Sequence, residues 1–357
     1  MAKAPNSRRW SLPVPSVQEL ASQHLHTVPP RYVRDDFSDI ITVPSGDHQL
    51  RLPLIDMTKM VNPETQAVEL HKLHSACKEW GIFQLINHGV SDESLRNMRK
   101  QFEEFFELPL QEKKHLAQRP GSNEGYGHLF VMSEEQKLEW QDMLFIKVLP
   151  FQSKILESWP GNPYKFREIL VNYVEEMRKV TVSIMKFIAM ALQIKDEDFY
   201  ESYNKEGKCD MRVNFYPACP EPEKVIGIHP HVDVHGITLL QECSDTSGLQ
   251  VLKDGHWVFV EPIDGALTVD IGLILEMMSN GIYKAPFHRA VVNKSKERLA
   301  IVTICCPSSS CRIGPAKQLL QSGSPPLYKS LTLEEYFECF YNSPPGSDIP
   351  FIDKLKI

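Results

Sequence analysis

After Asp210 the chain breaks into short β-rich runs, and that rhythm restricts the fold more than any other feature of the sequence. The runs cover residues 211–216, 225–231, 237–242, 249–252, 257–261, 266–270, 287–292 and 299–305. Asp254-Gly255 supplies a hairpin turn between two of them, and residues 293–297 turn another pair. Eight short strands with turn signals at this spacing predict a double-sheet jelly roll, which can hold a site between its sheets.

Two of these runs carry metal-ligand chemistry. Side chains two apart on a strand share a face, so His231 and Asp233 in Gly227-Ile-His-Pro-His-Val-Asp233 present an imidazole beside a carboxylate. His288, in Lys284-Ala-Pro-Phe-His288, is the best-placed third donor. Two histidines and one carboxylate form the facial set that binds non-haem Fe(II) and leaves positions open. His229 has the same parity as His231, with Pro230 disturbing the strand between them. It is either a ligand in a His-x-His arrangement or, preferably, a group supporting the ligands from outside. His88, His128 and His235 have no ligand spacing to one another and read as hydrogen-bonded polar residues, although the loop carrying His128 can reach a substrate. Arg298 follows His288 after a tight turn. A fixed guanidinium near a metal pairs bidentately with a carboxylate, which points to a dicarboxylic co-substrate.

The chain before the strands is mainly helical. Residues 14–45 are Pro-rich and polar and should wrap the surface, with a helical patch at 16–21 in which Ser16 and Glu19 can form a capping box. A short strand at 52–56 follows. Asn62-Pro63 then begins a helix that runs to Trp80 and ends at Gly81. A buried strand at 82–87 closes in the Asn87-His88-Gly89 turn, and helices are expected near 92–107 and 110–117. Residues 119–130 read as a Gly-rich loop, and its Gly125-Tyr-Gly127 lacks the Gly-Lys-Ser/Thr ending of a phosphate cradle. Within 163–193, Phe166, Leu170, Tyr173, Met177, Val180, Ile184 and Ile188 recur every three or four residues. They predict one long amphipathic helix whose apolar stripe packs in the core. The tail returns to helix at 333–340.

A length of 357 residues, 42% of them hydrophobic, allows one large domain or two modest ones. The net charge of −7, without a long basic run, argues against nucleic acid or an anionic membrane as partner and favours a small-molecule enzyme. Eight scattered cysteines without a Cys-x-x-Cys pair fit the reduced thiols of a cytoplasmic protein. No apolar run approaches the roughly 18 residues of a membrane span. The basic opening Met1-Ala-Lys-Ala-Pro-Asn-Ser-Arg-Arg9 hints at a transit peptide, but Glu19 and an ordinary helical pattern follow soon after. The ending Lys354-Leu-Lys-Ile357 is neither a peroxisomal nor a retention signal.

In order and spacing, His231-x-Asp233, His288 and Arg298 resemble the plant Fe(II)/2-oxoglutarate-dependent dioxygenases. The resemblance covers nearly the whole chain. It includes Trp80-Gly-Ile-Phe-Gln-Leu-Ile-Asn-His-Gly89, Glu124-Gly-Tyr-Gly127 and Met211-Arg-Val-Asn-Phe-Tyr-Pro-Ala-Cys-Pro220. The ending Phe351-Ile-Asp-Lys-Leu-Lys-Ile357 is similar to the branch that oxidises alkaloids, hormones and other specialised metabolites, with its senescence-related-protein and opiate O-demethylase types.

That resemblance implies an α+β fold, a double-stranded β-helix (jelly-roll) core flanked by helices, with the long amphipathic helix packed on the barrel. It implies Fe(II) on His231, Asp233 and His288, and 2-oxoglutarate as co-substrate, with Arg298 on its distal carboxylate and Asn214 and Tyr216 at its inner end. Dioxygen is consumed and ascorbate is supportive. The protein would be a soluble monomer that hydroxylates or O-demethylates a small, largely apolar metabolite, releasing succinate and CO2. Tyr126, His128, Phe130, Phe145, Phe337 and Phe340 are the expected substrate-pocket residues. The expected organisation is a mainly helical region at 1–205, a jelly-roll core at 206–310, and a C-terminal helix and tail at 311–357 covering the pocket.

Two positions depart from the family pattern. Its Arg-x-Ser is Arg298-Leu-Ala300 here, so a hydroxyl that helps hold the distal carboxylate is missing. One such hydrogen bond to a charged group contributes roughly 1.5–3 kcal/mol, which predicts weaker 2-oxoglutarate binding or use of a different oxo acid. In Asp270-Ile-Gly-Leu273, Leu273 replaces a carboxylate that would cap the following short helix, for a loss of about 1 kcal/mol. The alternatives to a 2-oxoglutarate dioxygenase are a same-fold Fe(II) oxidase that does not consume the oxo acid, and a catalytically silent small-molecule-binding relative. Retention of Arg298 argues against the first and the intact ligand set against the second.

Overall fold

The computed structural model describes residues 11–23, 25–34, 42–43, 51–151, 158–195, 197–204, 206–320, 323–343 and 350–357. The basic opening stretch and much of 35–50 lie outside them. In chain order the first strands are β1 (Thr42–Val43), β2 (Leu54–Asp56), β3 (Ile82–Ile86), β4 (Gly125–Gly127), β5 (Asp142–Leu149), β6 (Lys208–Tyr216), β7 (Ile228–His231) and β8 (Ile237–Glu242). They are followed by β9 (Leu249–Lys253), β10 (His256–Phe259), β11 (Leu267–Ile271), β12 (His288–Ala290), β13 (Arg298–Cys306), β14 (Arg312–Ile313) and β15 (Leu331–Thr332). The helices are α1 (Val17–Ser22), α2 (Met57–Val61), α3 (Gln66–Glu79), α4 (Asp92–Glu107), α5 (Leu110–Lys114), α6 (Phe166–Ala191), α7 (Asp198–Glu201), α8 (Leu273–Met278), α9 (Lys317–Leu320) and α10 (Leu333–Asn342).

The larger sheet has eight strands in the order β2-β3-β11-β8-β13-β6-β5-β4, and the smaller has five in the order β1-β10-β9-β12-β7. Side-chain parity then sorts the larger sheet into two faces. On β8, Ile237 and Leu239 join the core under the helices, whereas Thr238 and Leu240 face the other sheet and line a cavity. On β13, Leu299 and Ile301 are core while Arg298, Ala300, Val302 and Ile304 line the cavity. On β6, Met211, Val213 and Phe215 are core while Arg212, Asn214 and Tyr216 line the cavity. This is the jelly-roll arrangement, with one face of the big sheet buried under helices and the other enclosing the site.

Helix α6 is the main cover. Its stripe of Leu170, Tyr173, Val174, Met177, Val180, Ile184 and Ile188 is buried against α3, α4 and the strands β5, β8 and β13. Each large apolar side chain removed from water contributes roughly 1.5–3 kcal/mol, so this interface fixes the sheet on which the site is built.

Four local features differ from expectation. The helix expected at Asn62-Pro63 starts instead at Gln66, because Asn62 Oδ1 accepts from the Glu64 N–H and the Thr65 hydroxyl turns back to the Lys59 carbonyl, so the chain turns there. Strand β5 went unrecognised. It is buried on nearly its whole length and lacks the alternation of a half-exposed strand. The Gly-rich loop contains the short strand β4, paired with β5. At the N-terminus, Ser16 caps α1 by accepting from the Glu19 N–H, but its own hydroxyl donates to Asp142 rather than completing a box with Glu19. Val17, Val28 and Tyr32 then form a satellite core with Val131, Leu138, Trp140 and Val225.

Candidate active site

Strands β7 and β12 run antiparallel with His231 directly opposite His288, which sets the two rings 4.2 Å apart between centroids. Asp233 lies just past the end of β7. Its Oδ1 is 3.7 Å from His231 Nε2 and 3.8 Å from His288 Nε2, and one ligand atom from each residue falls within 4.8 Å of the others. The opposite edges of both rings are tied down. His231 Nδ1 lies 2.8 Å from the His229 carbonyl, and His288 Nδ1 lies 3.1 Å from Asp270 Oδ2 and 3.3 Å from the Pro286 carbonyl. With Nδ1 occupied in each ring, both Nε2 atoms are left to face Asp233. Thr238 donates its hydroxyl to Asp233 Oδ2, which leaves Oδ1 for the centre.

The backbone holds this loop from beneath. The Leu273 and Ile274 N–H groups at the start of α8 donate to the carbonyls of Asp233 and His235, at 2.8 and 3.1 Å. A Cβ on Gly272 would collide with the His235 carbonyl, so only glycine permits the close approach. The expected loss of a cap at Leu273 does not arise. Gly272 occupies the N-cap position, and Leu273 is a buried first-turn residue whose N–H is already used on Asp233.

Burial and the adjacent His288 push His231 down to about 3. Burial opposes ionisation of Asp233, but His288, His231 and the Thr238 hydroxyl outweigh it and hold the carboxyl below its ordinary value. Burial and the Asp233 charge push Asp270 well upward. At neutral pH, His231 is therefore an unprotonated imidazole and Asp233 a carboxylate, the forms in which each donates to a divalent metal. Nitrogen, oxygen and nitrogen on one side of an open cavity fit Fe(II).

The three side chains open into a cavity enclosing about 630 Å³ with its mouth, whose lining also includes Asn214, Tyr216, Ala300 and Arg298. Asn214 is buried and its Oδ1 accepts from Arg212 Nε at 2.7 Å. Burial pushes Tyr216 up to about 12, so it stays a neutral phenol. Its ring lies 5.0 Å from the Arg298 guanidinium and packs so close to Gly227 that a Cβ there would sit 2.8 Å from the ring. Gly248 makes similar room, since its Cβ would fall 2.6 Å from Arg298 Cδ. Arg298 Nε and Nη2 both donate to Glu242 Oε2, at 3.0 and 2.6 Å. Glu242 was not anticipated, yet it has the strand parity of Thr238 and Leu240 and so should point inward with them.

His229 stands outside the cavity, half-exposed and hydrogen-bonded to Glu139, while its carbonyl orients His231. His88 is satisfied by the Gly265 carbonyl and the Val90 N–H. The six expected substrate residues are not brought together, and none lines this cavity. The Tyr126 hydroxyl donates to Asp142 Oδ2 at 3.0 Å, and His128 is buried 3.5 Å from Asp142 Oδ1. The Phe130 carbonyl accepts from Gln136, and Phe145 sits on β5 opposite Gly125 and Arg212. Phe337 packs 5.6 Å from His235, next to the loop bearing Asp233, and Phe340 packs on Phe351.

The sequence pattern of the 2OG-Fe(II) oxygenase superfamily matches residues 207–307, and that of the non-haem dioxygenase in morphine synthesis N-terminal region matches 52–162. The chain is 41% identical to Protein SRG1 of Arabidopsis thaliana, over 99% of this chain and 100% of that one. It is 40% identical to oxoglutarate-dependent flavonoid 7-O-demethylase 1 of Ocimum basilicum, over 93% of this chain and 88% of the relative. A crystal structure of JOX2 in complex with 2OG, Fe and JA superposes with a TM-score of 0.85 at 31% identity, covering 98% of this chain and 99% of that one.

Proposed function

The chain belongs to the 2OG-Fe(II) oxygenase superfamily, and from that membership we propose that it hydroxylates or O-demethylates a small, largely apolar plant specialised metabolite or hormone, releasing succinate and CO2. It is an Fe(II)- and 2-oxoglutarate-dependent dioxygenase acting on a small molecule and dioxygen. We assign the iron to His231, Asp233 and His288, and the co-substrate to the cavity wall, with Arg298 at its distal carboxylate and Asn214 and Tyr216 at its inner end. The observation that carries this assignment is that one cavity is lined by the three clustered donors and by the buried guanidinium of Arg298.

Bound iron with 2-oxoglutarate supplies the oxidising equivalent that places oxygen on a substrate C–H bond. The protein's part is positional. His229, Asp270 and Pro286 fix both imidazoles with Nε2 inward, and Thr238 fixes the carboxylate. Leu240, Leu249, Val302 and Ile304 keep the wall apolar, which limits water and favours an apolar substrate. At an O-methyl carbon, hydroxylation gives a hemiacetal that collapses to formaldehyde and a free hydroxyl. The flavonoid demethylase among the relatives supports that outcome, and the JOX2 complex with JA supports a small-molecule substrate.

We place Phe337 and Phe340 at the mouth, within a C-terminal cover at 311–357 over a catalytic core at 206–310, with 1–205 as the helical support. Tyr126, His128, Phe130 and Phe145 act further out, through the loop they hold. Eight free cysteines, most of them buried, favour a reducing cytoplasm, and we take the protein to work there as a monomer with ascorbate in support. No helix among the described residues is long and apolar enough to cross a membrane. The test is incubation with Fe(II), 2-oxoglutarate and a panel of plant metabolites, followed by mass spectrometry. Gain of one oxygen or loss of one methylene is expected for an apolar member of the panel. Products confined to charged, highly polar members would contradict the substrate class.

A further inference from the structure

Arg298 already has an anionic partner. Its side chain is 3% exposed, that of Glu242 is 13% exposed, and two guanidinium N–H groups converge on Glu242 Oε2. Glu242 Oε1 is buried and receives neither of these guanidinium N–H groups, while the Cys243 and Ser244 backbone N–H groups help hold the carboxylate. The pair is therefore neutral overall, and an incoming distal carboxylate would leave one negative charge uncompensated in a buried place. The other cations that line the cavity, Arg212 and Arg289, each have a neutral hydrogen-bond partner. Arg212 Nε is held by Asn214, while Arg289 bonds Gln250 and lies 4.2 Å from the Trp257 ring centre. Ala300, directly opposite Glu242 across the β8–β13 pair, offers no hydroxyl to share the load.

We propose that Glu242 is a specificity-determining residue that competes with the distal carboxylate of 2-oxoglutarate for Arg298, so that the site disfavours the dicarboxylate and accepts a 2-oxo acid ending in a neutral carboxamide. A carboxamide matches what the pair presents: its carbonyl accepts from the remaining guanidinium N–H groups, and its NH2 donates to Oε1, which the two Arg298 N–H groups on Oε2 leave aside. Burial pushes the Glu242 carboxyl upward, and Arg298 together with the Cys243 and Ser244 backbone N–H groups opposes that push. The inference rests on the assignment of Arg298 to the distal end of the co-substrate.

The test is anaerobic calorimetry on the Mn(II)-loaded protein with 2-oxoglutarate, its 5-carboxamide and 2-oxobutyrate, which has no distal polar group. The native protein is expected to bind the 5-carboxamide at least as tightly as 2-oxoglutarate. Glu242→Gln and Glu242→Val are expected to tighten 2-oxoglutarate about tenfold while leaving 2-oxobutyrate unchanged. The proposal is overturned if the native protein prefers 2-oxoglutarate over the carboxamide by about tenfold or more, or if either variant leaves 2-oxoglutarate binding unchanged or weaker. Weaker binding would make Glu242 an orienting group for Arg298. The native comparison stands whether or not the variants fold. Arg298→Leu separates the two levels: unchanged 2-oxoglutarate affinity there removes the distal-end assignment itself, whereas lost affinity without a gain in the Glu242 variants removes only the competition.

Discussion

Asp233→Ala should lower turnover at least about a thousandfold, or about 4 kcal/mol of activation free energy, while the protein remains folded. Asp233 is the only anionic member of the three-residue donor set, and its Oδ1 lies nearly equidistant from both histidine Nε2 atoms. Without it, two imidazoles lacking a charged partner must hold a divalent cation, which hard and borderline metals resist. The fold is spared because the structural role of this residue is played by its backbone. The Asp233 carbonyl accepts from the Leu273 N–H, and that bond survives the substitution. The check is metal content after dialysis, alongside circular dichroism and turnover. Full metal loading in Asp233→Ala would remove the carboxylate from the centre.

A second large effect is expected far from the metal. Asp142→Ala should destabilise the protein by about 3–5 kcal/mol, measured by denaturant unfolding, because one buried carboxylate serves several donors at once. Asp142 accepts from the Ser16 hydroxyl at 2.6 Å, the Val17 and Gln18 N–H groups at 2.8 and 3.1 Å, and the Tyr126 hydroxyl at 3.0 Å. It thereby fastens the start of α1 and the β4 loop to the first residue of β5. Burial opposes its charge, but His128, Ser16 and the Val17 N–H outweigh burial and hold its pKa below the ordinary value. For a carboxyl depressed on folding, the unfolded chain binds the extra proton. The associated stability is therefore fully present above about pH 4 and is lost as pH falls through the folded value. Asp142→Asn should flatten that acid limb. An unchanged acid limb, or a loss under about 1 kcal/mol in Asp142→Ala, would mean that the N-terminal segment is held by its apolar contacts alone.

What the sequence discloses follows from where period and chemistry coincide. The strands after Asp210 could be read as short β-rich runs between turn signals, and the stripe from Phe166 to Ile188 marked α6 within a few residues. In strand β5, Leu144, Ile146 and Val148 join the core and Met143 and Leu149 are buried as well, so this largely apolar run reads equally as helix or strand. The His231-x-Asp233 pair and His288 could be named from the sequence as candidate donors, but their convergence rests on the in-register pairing of β7 with β12, which spacing alone could not supply. Tyr126 and His128, expected on a loop that can reach a substrate, both lie against Asp142, a long-range partner invisible to local pattern: the Tyr126 hydroxyl donates to Oδ2, and His128 Nε2 sits 3.5 Å from Oδ1. Glu242 shows the converse. Its parity on β8 already placed it beside Thr238 and Leu240, but only the cross-strand register with Ala300 shows that it meets Arg298.

The central claim is that this chain couples consumption of a 2-oxo acid to oxidation of a small molecule at the His231–Asp233–His288 centre. The measurement that bears on it most directly is succinate formed by the purified protein with Fe(II), dioxygen and 2-oxoglutarate at saturating concentration, with and without the metabolite panel, beside Asp233→Ala. The account predicts succinate in proportion to oxidised product in the native protein and only background in the variant. Succinate that never exceeds the variant's level, or substrate oxidation that proceeds without any 2-oxo acid, would contradict it.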